Sequence, residues 1–238
     1  MKRTVVITGL GVVSSLGLGR EPFWSAIRAG RTGIRPLEGF PERTLRCPVV
    51  AQVPDFDPEA HFAATDLQFL DRYAQFAVVA AREAADDAAL NGAQLAGAGA
   101  IIGSGAGGKG ADEEGYYRLY KEGKTRAHPL AILRGMHSSA VSQITMDLGI
   151  HGPSFSVASA CASSNHAISQ SVAMIRSGGA EVMLAGGADS TFTYGMLRAW
   201  DAMRILARDT CRPFSANRSG TVLGEGAAVV VLESLEHA

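Results

Sequence analysis

Cys161 has the surroundings of a chemically reactive residue. It lies in the segment 152–166, after an alternating apolar and polar stretch at 154–157 and before a stretch with apolar residues at helical spacing. A helix that begins near Cys161 directs unpaired N–H groups and the positive end of its dipole at the sulfur, which favours thiolate over thiol. The small neighbours Ala160 and Ala162 leave room for a substrate carbonyl. These features predict a nucleophilic cysteine.

A buried cysteine that acts only as a small hydrophobe is the alternative, because free cysteine is among the most buried residue types. His166 follows Cys161 by five residues, slightly more than one helical turn, so its ring could approach the sulfur. We favour a structural role for His166. The other histidines are expected in loops or at helix edges, and they are His61, His128, His137, His151 and His237. No spacing typical of a metal site occurs, so no metal is predicted.

The elements that position Cys161 follow from periodicity and from glycine and proline punctuation. We predict strands at 3–13, 47–53, 98–103, 154–157, 181–188 and 228–232, and helices at 23–30, 66–90, 130–148, 162–177 and 194–205. The strands at 3–13 and 98–103 read as continuous apolar runs, which is typical of strands buried on both faces. Strands that alternate with helices predict an α/β layered architecture.

The glycine-rich loop 103–110 resembles two phosphate-binding patterns. It satisfies GxGxxG and nearly satisfies GxxxxGK[ST], but Gly110 stands where the second pattern needs a hydroxyl. The following segment, 111–124, is polar and does not read as a clean crossover helix. We therefore disfavour a nucleotide site in this loop.

Composition excludes several classes of function. The chain has 238 residues, of which 47% are hydrophobic and 19% charged, with a formal net charge of -1. This balance gives no electrostatic case for nucleic acid, and no stretch is apolar enough for a membrane span. The three cysteines are widely spaced, which indicates neither a disulfide framework nor a zinc site and fits a reducing cytoplasm.

Several ordered motifs closely resemble those of β-ketoacyl-acyl carrier protein synthases, the decarboxylating condensing enzymes of fatty-acid and polyketide synthesis. The motifs are Val5 to Gly11, Gly103-Ser104-Gly105, Ala160-Cys161-Ala162-Ser163-Ser164 with His166, Val182 to Asp189, Cys211-Arg212-Pro213-Phe214 and Gly224 to Ala227. The resemblance implies a thiolase-like fold, a mixed sheet between helix layers, in which two similar halves pack together. Residues 1–238 match the N-terminal half, and the C-terminal half is not in this chain.

The resemblance also implies a reaction. An acyl group is transferred to Cys161 and then undergoes decarboxylative Claisen condensation with malonyl-acyl carrier protein, with no cofactor. Two histidines and a lysine of the second half serve the decarboxylation, so an acyltransferase activity is expected to require that half. The family further implies acyl carrier protein as partner and a homodimer in which the strand 154–157 pairs across a two-fold axis.

Substrate contacts are carried over from the same resemblance. Ala106, Ser138, Ala162 and Phe214 are the expected substrate-binding residues. Ala106 and Ser138 are smaller than the residues usual at these positions, which favours medium or long acyl chains. Ser215 stands where an aspartate usually follows the aromatic residue, which puts the polar network behind the site in doubt.

Other readings stay open. The chain could be a non-catalytic subunit that pairs with a synthase and helps to set chain length, although such subunits typically lack the cysteine. It could be a half-chain without catalysis of its own. A thiolase is a weaker alternative, because Arg212-Pro213-Phe214 and Gly224-Glu225-Gly226 resemble the synthases.

Overall fold

The computed structural model describes residues 3–238. The strands are β1 Val5–Ser14, β2 Gly17–Leu18, β3 Arg35–Pro36, β4 Val49–Val50, β5 Gly99–Gly103, β6 Ser154–Val157, β7 Val182–Asp189 and β8 Gly226–Ser234. The α-helices are α1 Arg20–Arg28, α2 Ala64–Leu67, α3 Arg72–Asp87, α4 Gly92–Gly97, α5 Lys109–Tyr116, α6 Ala131–Gly135, α7 Ser139–Leu148, α8 Ser163–Arg176 and α9 Tyr194–Ala202. A 3-10 turn at Pro58–Ala60 and a π-helical turn at Tyr117–Lys121 complete the set.

Six strands form one mixed sheet in the order β2-β1-β8-β7-β5-β6, and β3 pairs with β4 separately. Strands β5, β6 and β7 are parallel, whereas β8 runs antiparallel to both β7 and β1. The carboxyl ends of the three parallel strands therefore lie beside the amino end of β8, at the end of the sheet that we call its carboxyl edge. Loops at such an edge carry the functional residues of many α/β proteins.

Helix α3 covers one face of the sheet. Its side chains Tyr73 and Phe76 are fully buried, and they belong to the larger of the hydrophobic clusters. The helix lies so close to β1 that a Cβ built on Gly11 would overlap the carbonyl oxygen of Ala80. Glycine at this position of β1 is therefore needed for the helix and the strand to pack at this distance.

Helix α8 covers only part of the opposite face. It packs against β5 and β7 through a smaller cluster that includes Ile101, Ile175 and Met183. On β1, by contrast, Ile7 is 60% exposed and Leu10 is 47% exposed. The prediction that the first strand is buried on both faces is therefore wrong. We call the uncovered surface formed by Ile7, Leu10 and Ala228 the open face.

The helix predicted at 66–90 is divided in the structure. Asp71 ends the connection after α2 and caps α3, because its carboxylate accepts the N–H of Tyr73 at 3.3 Å. The same carboxylate accepts the N–H of Ala111 at 2.7 Å, which joins the beginning of α3 to α5. Burial raises the pKa of the Asp71 carboxyl, and these two N–H groups oppose the shift.

The helix predicted at 130–148 is also divided, into α6 and α7. Between them, the carbonyl of Met136 accepts the hydroxyl of Tyr73 at 2.6 Å, and that hydroxyl accepts the N–H of Ala140 at 3.3 Å. Burial of this hydroxyl raises the pKa of Tyr73. The buried Tyr73 side chain on α3 thus stabilises the break between α6 and α7, which local periodicity does not reveal.

The segment after the glycine-rich loop, which does not read as a clean crossover helix, forms the short α5 and the π-helical turn at Tyr117–Lys121. The mixed sheet between helix layers is confirmed. None of the helices within residues 3–238 has both the length and the apolarity that crossing a bilayer requires.

The contact between Gly11 and α3 gives a stability prediction. Gly11→Ala should lower the free energy of unfolding by about 3 kcal/mol, because the new methyl group must displace the backbone of α3. Urea unfolding of Gly97→Ala provides the control, since a Cβ there meets nothing within 4 Å. Equal unfolding midpoints for the two variants would contradict the close approach.

Candidate active site

Cys161 lies in a tight turn between β6 and α8, two residues before the helix begins, and it is an exposed free cysteine. Ala160 has a φ of 47°, a left-handed conformation that costs energy for a residue with a Cβ. Ser163 holds the turn in this shape. Its hydroxyl donates to the carbonyl of Ala160 at 2.7 Å and accepts the N–H of Ser159 at 2.8 Å. The strained turn presents the sulfur at the surface.

Two glycines allow the beginning of α8 to approach the sheet. A Cβ on Gly103, the last residue of β5, would overlap the backbone of Ser163. A Cβ on Gly187 of β7 would lie 2.8 Å from the Cβ of Ser164. Larger residues at either position would push the first turn of α8, and with it Cys161, away from the strand ends.

A pocket of about 220 Å³ opens beside the sulfur. It is lined by Gly103, Ala160, Cys161, Ser163, Ser164, Gly187, Ala188, Asp189, Gly226, Ala227 and Ala228. Most of these residues are glycine or alanine, so backbone forms much of the wall. The pocket is smaller than a typical small-molecule site, which has a volume of several hundred Å³. It can accept a compact group such as the head of a thioester.

Asp189, at the end of β7, holds the loop that follows β5. Its carboxylate accepts the hydroxyl of Ser104 at 2.9 Å, the N–H of Gly105 at 2.9 Å and the N–H of Ala106 at 3.0 Å. The Ser104 hydroxyl in turn accepts the N–H of Gly107 at 2.9 Å. These N–H groups are the ones that a phosphate would need, and the Asp189 carboxylate and the Ser104 hydroxyl already accept them.

Glu225 braces the other side of the pocket. Its buried carboxylate accepts the Ser190 hydroxyl at 2.6 Å, the N–H of Val53 at 2.9 Å and two N–H groups of the Arg72 guanidinium at 2.8 and 2.9 Å. Gly226 follows with a φ of 154° and lines the pocket. The turn at Gly224-Glu225-Gly226 therefore lies beside the candidate site.

Three of the other predicted site residues, Ala106, Ser138 and Ala162, are not among the residues that line this pocket. Ala162 directly follows Cys161, and Ala106 lies in the loop held by Asp189. Ser138 is near that loop, because its neighbour His137 lies beside Gly107, where an added Cβ would be 3.2 Å from the ring nitrogen Nδ1.

Phe214 and His166 lie away from the pocket. Phe214 is fully exposed at a φ of 61°, and it does not line the pocket. His166 is exposed on α8 and does not line it either. A packed structural role for His166 is not seen among the described residues.

Sequence reasoning missed the two carboxylates that brace the site. Asp189 could have been found, because it ends a buried strand at the edge where functional loops meet. The Arg72–Glu225 ion pair joins residues far apart in the sequence, and neither residue has a local signal. Within residues 3–238, no group of His, Cys, Asp and Glu side chains is arranged to hold a metal ion.

The fold and the turn together define a layered α/β protein with an exposed cysteine at the carboxyl edge of its sheet. A family model described as "Beta-ketoacyl synthase, N-terminal domain" matches residues 2–238. The chain therefore belongs to the β-ketoacyl synthase family, and the thiolase-like fold implied by the sequence resemblance is confirmed.

Known relatives are similar over the whole of this chain. Nodulation protein E of Rhizobium sp. (strain N33) is 44% identical over 243 residues, which cover 100% of this chain and 60% of the relative. The 3-oxoacyl-[acyl-carrier-protein] synthase 2 of Coxiella burnetii is 36% identical over 245 residues, covering 100% of this chain and 59% of the relative. The chain thus spans about 60% of the length of these relatives.

A solved structure described as the ishigamide ketosynthase/chain length factor is similar in fold. It superposes with a TM-score of 0.92 at 33% sequence identity. The superposition covers 100% of this chain and 60% of that chain.

The Ser163 hydroxyl gives a prediction about the turn. Ser163→Ala should lower the free energy of unfolding by about 1–3 kcal/mol, because it leaves the Ser159 N–H without its acceptor. Ser177→Ala is the matched control, since Ser177 also donates to a carbonyl, at 2.9 Å, but at an exposed position. Urea unfolding measures both variants, and an equally small effect in the two would show that Ser163 does not hold the turn.

Proposed function

We propose that this chain carries the nucleophile of a β-ketoacyl-acyl carrier protein synthase, with Cys161 as the residue that receives the acyl group. The observation that supports this most directly is the exposed sulfur on a strained turn beside a pocket walled by glycine and alanine. Membership of the β-ketoacyl synthase family agrees with it.

In the first step, the Cys161 thiolate attacks the carbonyl carbon of an acyl thioester. The bond between the Cys161 sulfur and the carbonyl carbon forms, the bond between that carbon and the carrier sulfur breaks, and the carrier leaves as a thiolate that takes up the proton given up by Cys161. Negative charge develops on the carbonyl oxygen during the attack, and the backbone N–H of Cys161 is the proposed donor to it. Ala160 lines the pocket, and its small side chain and that of Ala162 leave space for the carbonyl to approach.

In the second step, a malonyl thioester loses carbon dioxide. The electron pair of the broken carbon–carbon bond becomes a carbanion, which attacks the carbonyl of the acyl-cysteine and releases the thiolate. Charge on the malonyl thioester oxygen needs further polar donors, and no histidine or lysine is among the residues that line the pocket of this chain. We assign those donors to a second half of the protein.

The open face is the proposed site for that half. Ile7 and Leu10 expose apolar area on the side of the sheet that α8 leaves uncovered, and Ala228 joins this face to the pocket. Relatives extend well beyond the part that this chain matches. We therefore propose residues 1–238 as the N-terminal half of a ketosynthase, completed by a C-terminal half that packs on the open face.

Acyl carrier protein is the proposed partner, since the Coxiella relative is named for it. A homodimer through β6 is proposed because β6 is the edge strand of the sheet and Phe155 on it is exposed. Cys47, Cys161 and Cys211 are all free, which supports a reducing compartment such as the cytoplasm.

The proposed acyl groups are of medium to long chain. Ala106 lies in the loop beside the Cys161 turn, and its methyl group occupies less volume than the larger side chains expected at this position. The chain is more similar to a relative named for nodulation, at 44%, than to the named 3-oxoacyl synthase, at 36%. This difference favours a specialised product over bulk fatty acid.

A non-catalytic partner subunit is the second candidate. It is favoured by the structural similarity to a protein described as a ketosynthase/chain length factor. The exposed Cys161 on its strained turn argues for the catalytic role. A half-chain without activity of its own is compatible with the shallow pocket and the open face.

Intact mass before and after incubation with acyl-acyl carrier protein tests the nucleophile. The wild type should gain one acyl group, Cys161→Ala should gain none, and Cys211→Ala should still be acylated although Cys211 is equally an exposed free thiol. Loss of the adduct in Cys211→Ala instead would assign the nucleophile elsewhere. No adduct in the wild type would favour the non-catalytic alternatives.

Enlarging Ala106 tests the chain-length proposal. Ala106→Ile should lower the acylation rate with hexadecanoyl donors by about tenfold while hexanoyl donors react as before, because the branched side chain would take up space that a long acyl chain needs beside the Cys161 turn. Ala93→Ile, at an exposed position on α4, is the control. A profile across chain lengths that is the same in both variants would contradict the role of Ala106.

A further inference from the structure

We propose that Asp189 is a positioning residue that sets acyl-chain selection by fixing the loop that carries Ala106. The inference rests on the proposed function, since it concerns the acyl group that Cys161 receives. Asp189 does not itself need to touch the substrate. It acts through the backbone of residues 104–107.

The carboxylate of Asp189 uses both of its oxygens to hold this loop. One oxygen accepts the Ser104 hydroxyl and the Ala106 N–H, and the other accepts the Gly105 N–H, all at 2.9 to 3.0 Å. Hydrogen bonds to a charged acceptor are stronger than bonds between neutral groups. An amide in place of the carboxylate would offer one acceptor and would direct an NH₂ group at a backbone N–H.

The loop is held between the two segments that it must serve. On one side, a Cβ on Gly105 would lie 3.4 to 3.5 Å from the backbone of Ala160, next to Cys161. On the other side, Gly107 has a φ of 67° and lies beside the ring of His137. A shift of the loop would therefore move the Ala106 methyl group relative to both the sulfur and the segment that contains Ser138.

Asp189 also connects this loop to the opposite wall of the pocket. It lines the pocket together with Cys161, and the next residue, Ser190, donates to Glu225 at 2.6 Å. Two adjacent residues at the end of β7 thus fix both segments. Asp189 holds the loop 104–107, and Ser190 holds the turn at Gly226 through Glu225. A change in the position of this loop or of the Gly226 turn relative to Cys161 would therefore change the space in which an acyl chain can extend from the sulfur.

The test compares Asp189→Asn and Asp189→Glu in the complete polypeptide that contains this chain. Acylation of Cys161 is followed by intact mass with hexanoyl, decanoyl and hexadecanoyl donors, and kcat/KM is determined for each. Asp189→Asn should change the ratio of long-chain to short-chain kcat/KM by about tenfold, which is the equilibrium effect of losing a charge-assisted hydrogen bond. Asp189→Glu keeps the charge and should recover part of the wild-type ratio.

Two further measurements separate positioning from general damage. Amide hydrogen exchange at Gly105 and Ala106 should accelerate in Asp189→Asn, while exchange in the buried strand β5 stays unchanged. Asp86→Asn, which removes an exposed carboxylate on α3, should alter neither exchange nor selectivity.

Each outcome decides between the proposals. An acylated wild type whose chain-length ratio is unchanged in Asp189→Asn overturns the inference and leaves the proposed function standing. Equal loss at every chain length, with faster exchange throughout the sheet, shows a purely structural role and also overturns it. A wild type that no donor acylates overturns the proposed function, and this inference falls with it.

Discussion

The close approach of the first turn of α8 to the ends of β5 and β7 is the constraint on which the site depends. Gly103 and Gly187 permit it, because any Cβ there would collide with Ser163 or Ser164. In the turn between β6 and α8, Ala160 takes the left-handed conformation. The exposed Cys161 is thus joined directly to the helix turn that the two glycines hold against the sheet.

The carboxylates of Asp189 and Glu225 stabilise the irregular loops around the pocket. Asp189 and Glu225 lie at neighbouring positions in the ladder, since Asp189 pairs with Gly226 across β7 and β8. Each is surrounded by N–H and O–H donors from loops that would otherwise have unsatisfied backbone groups, and Glu225 also pairs with Arg72. The loops around the pocket are thus held by charge-assisted hydrogen bonds. The pocket lining can therefore consist mostly of small residues, which contribute little side-chain packing of their own.

The two faces of the sheet differ in a way that bears on function. Helix α3 closes one face with a continuous core, whereas α8 closes only part of the other. The pocket beside Cys161 lies at the boundary between the covered part and the open face, since exposed Ala228 belongs to both. A group that packs on the open face would also complete the pocket, so that catalysis and assembly would depend on the same surface.

The sequence by itself determined the layered α/β class, most strands and the helix after Cys161, and it indicated Cys161 as the candidate nucleophile, because period and punctuation are local signals. The break at Asp71 and the break between α6 and α7 were decided by the tertiary structure, since buried partners such as Ala111 and Tyr73 hold them. Exposure of Ile7 and Leu10 was also invisible locally, because an apolar run does not show which faces are covered. The bracing of the site by Asp189, Glu225 and Arg72 required the fold, which alone brings distant charges and N–H groups together.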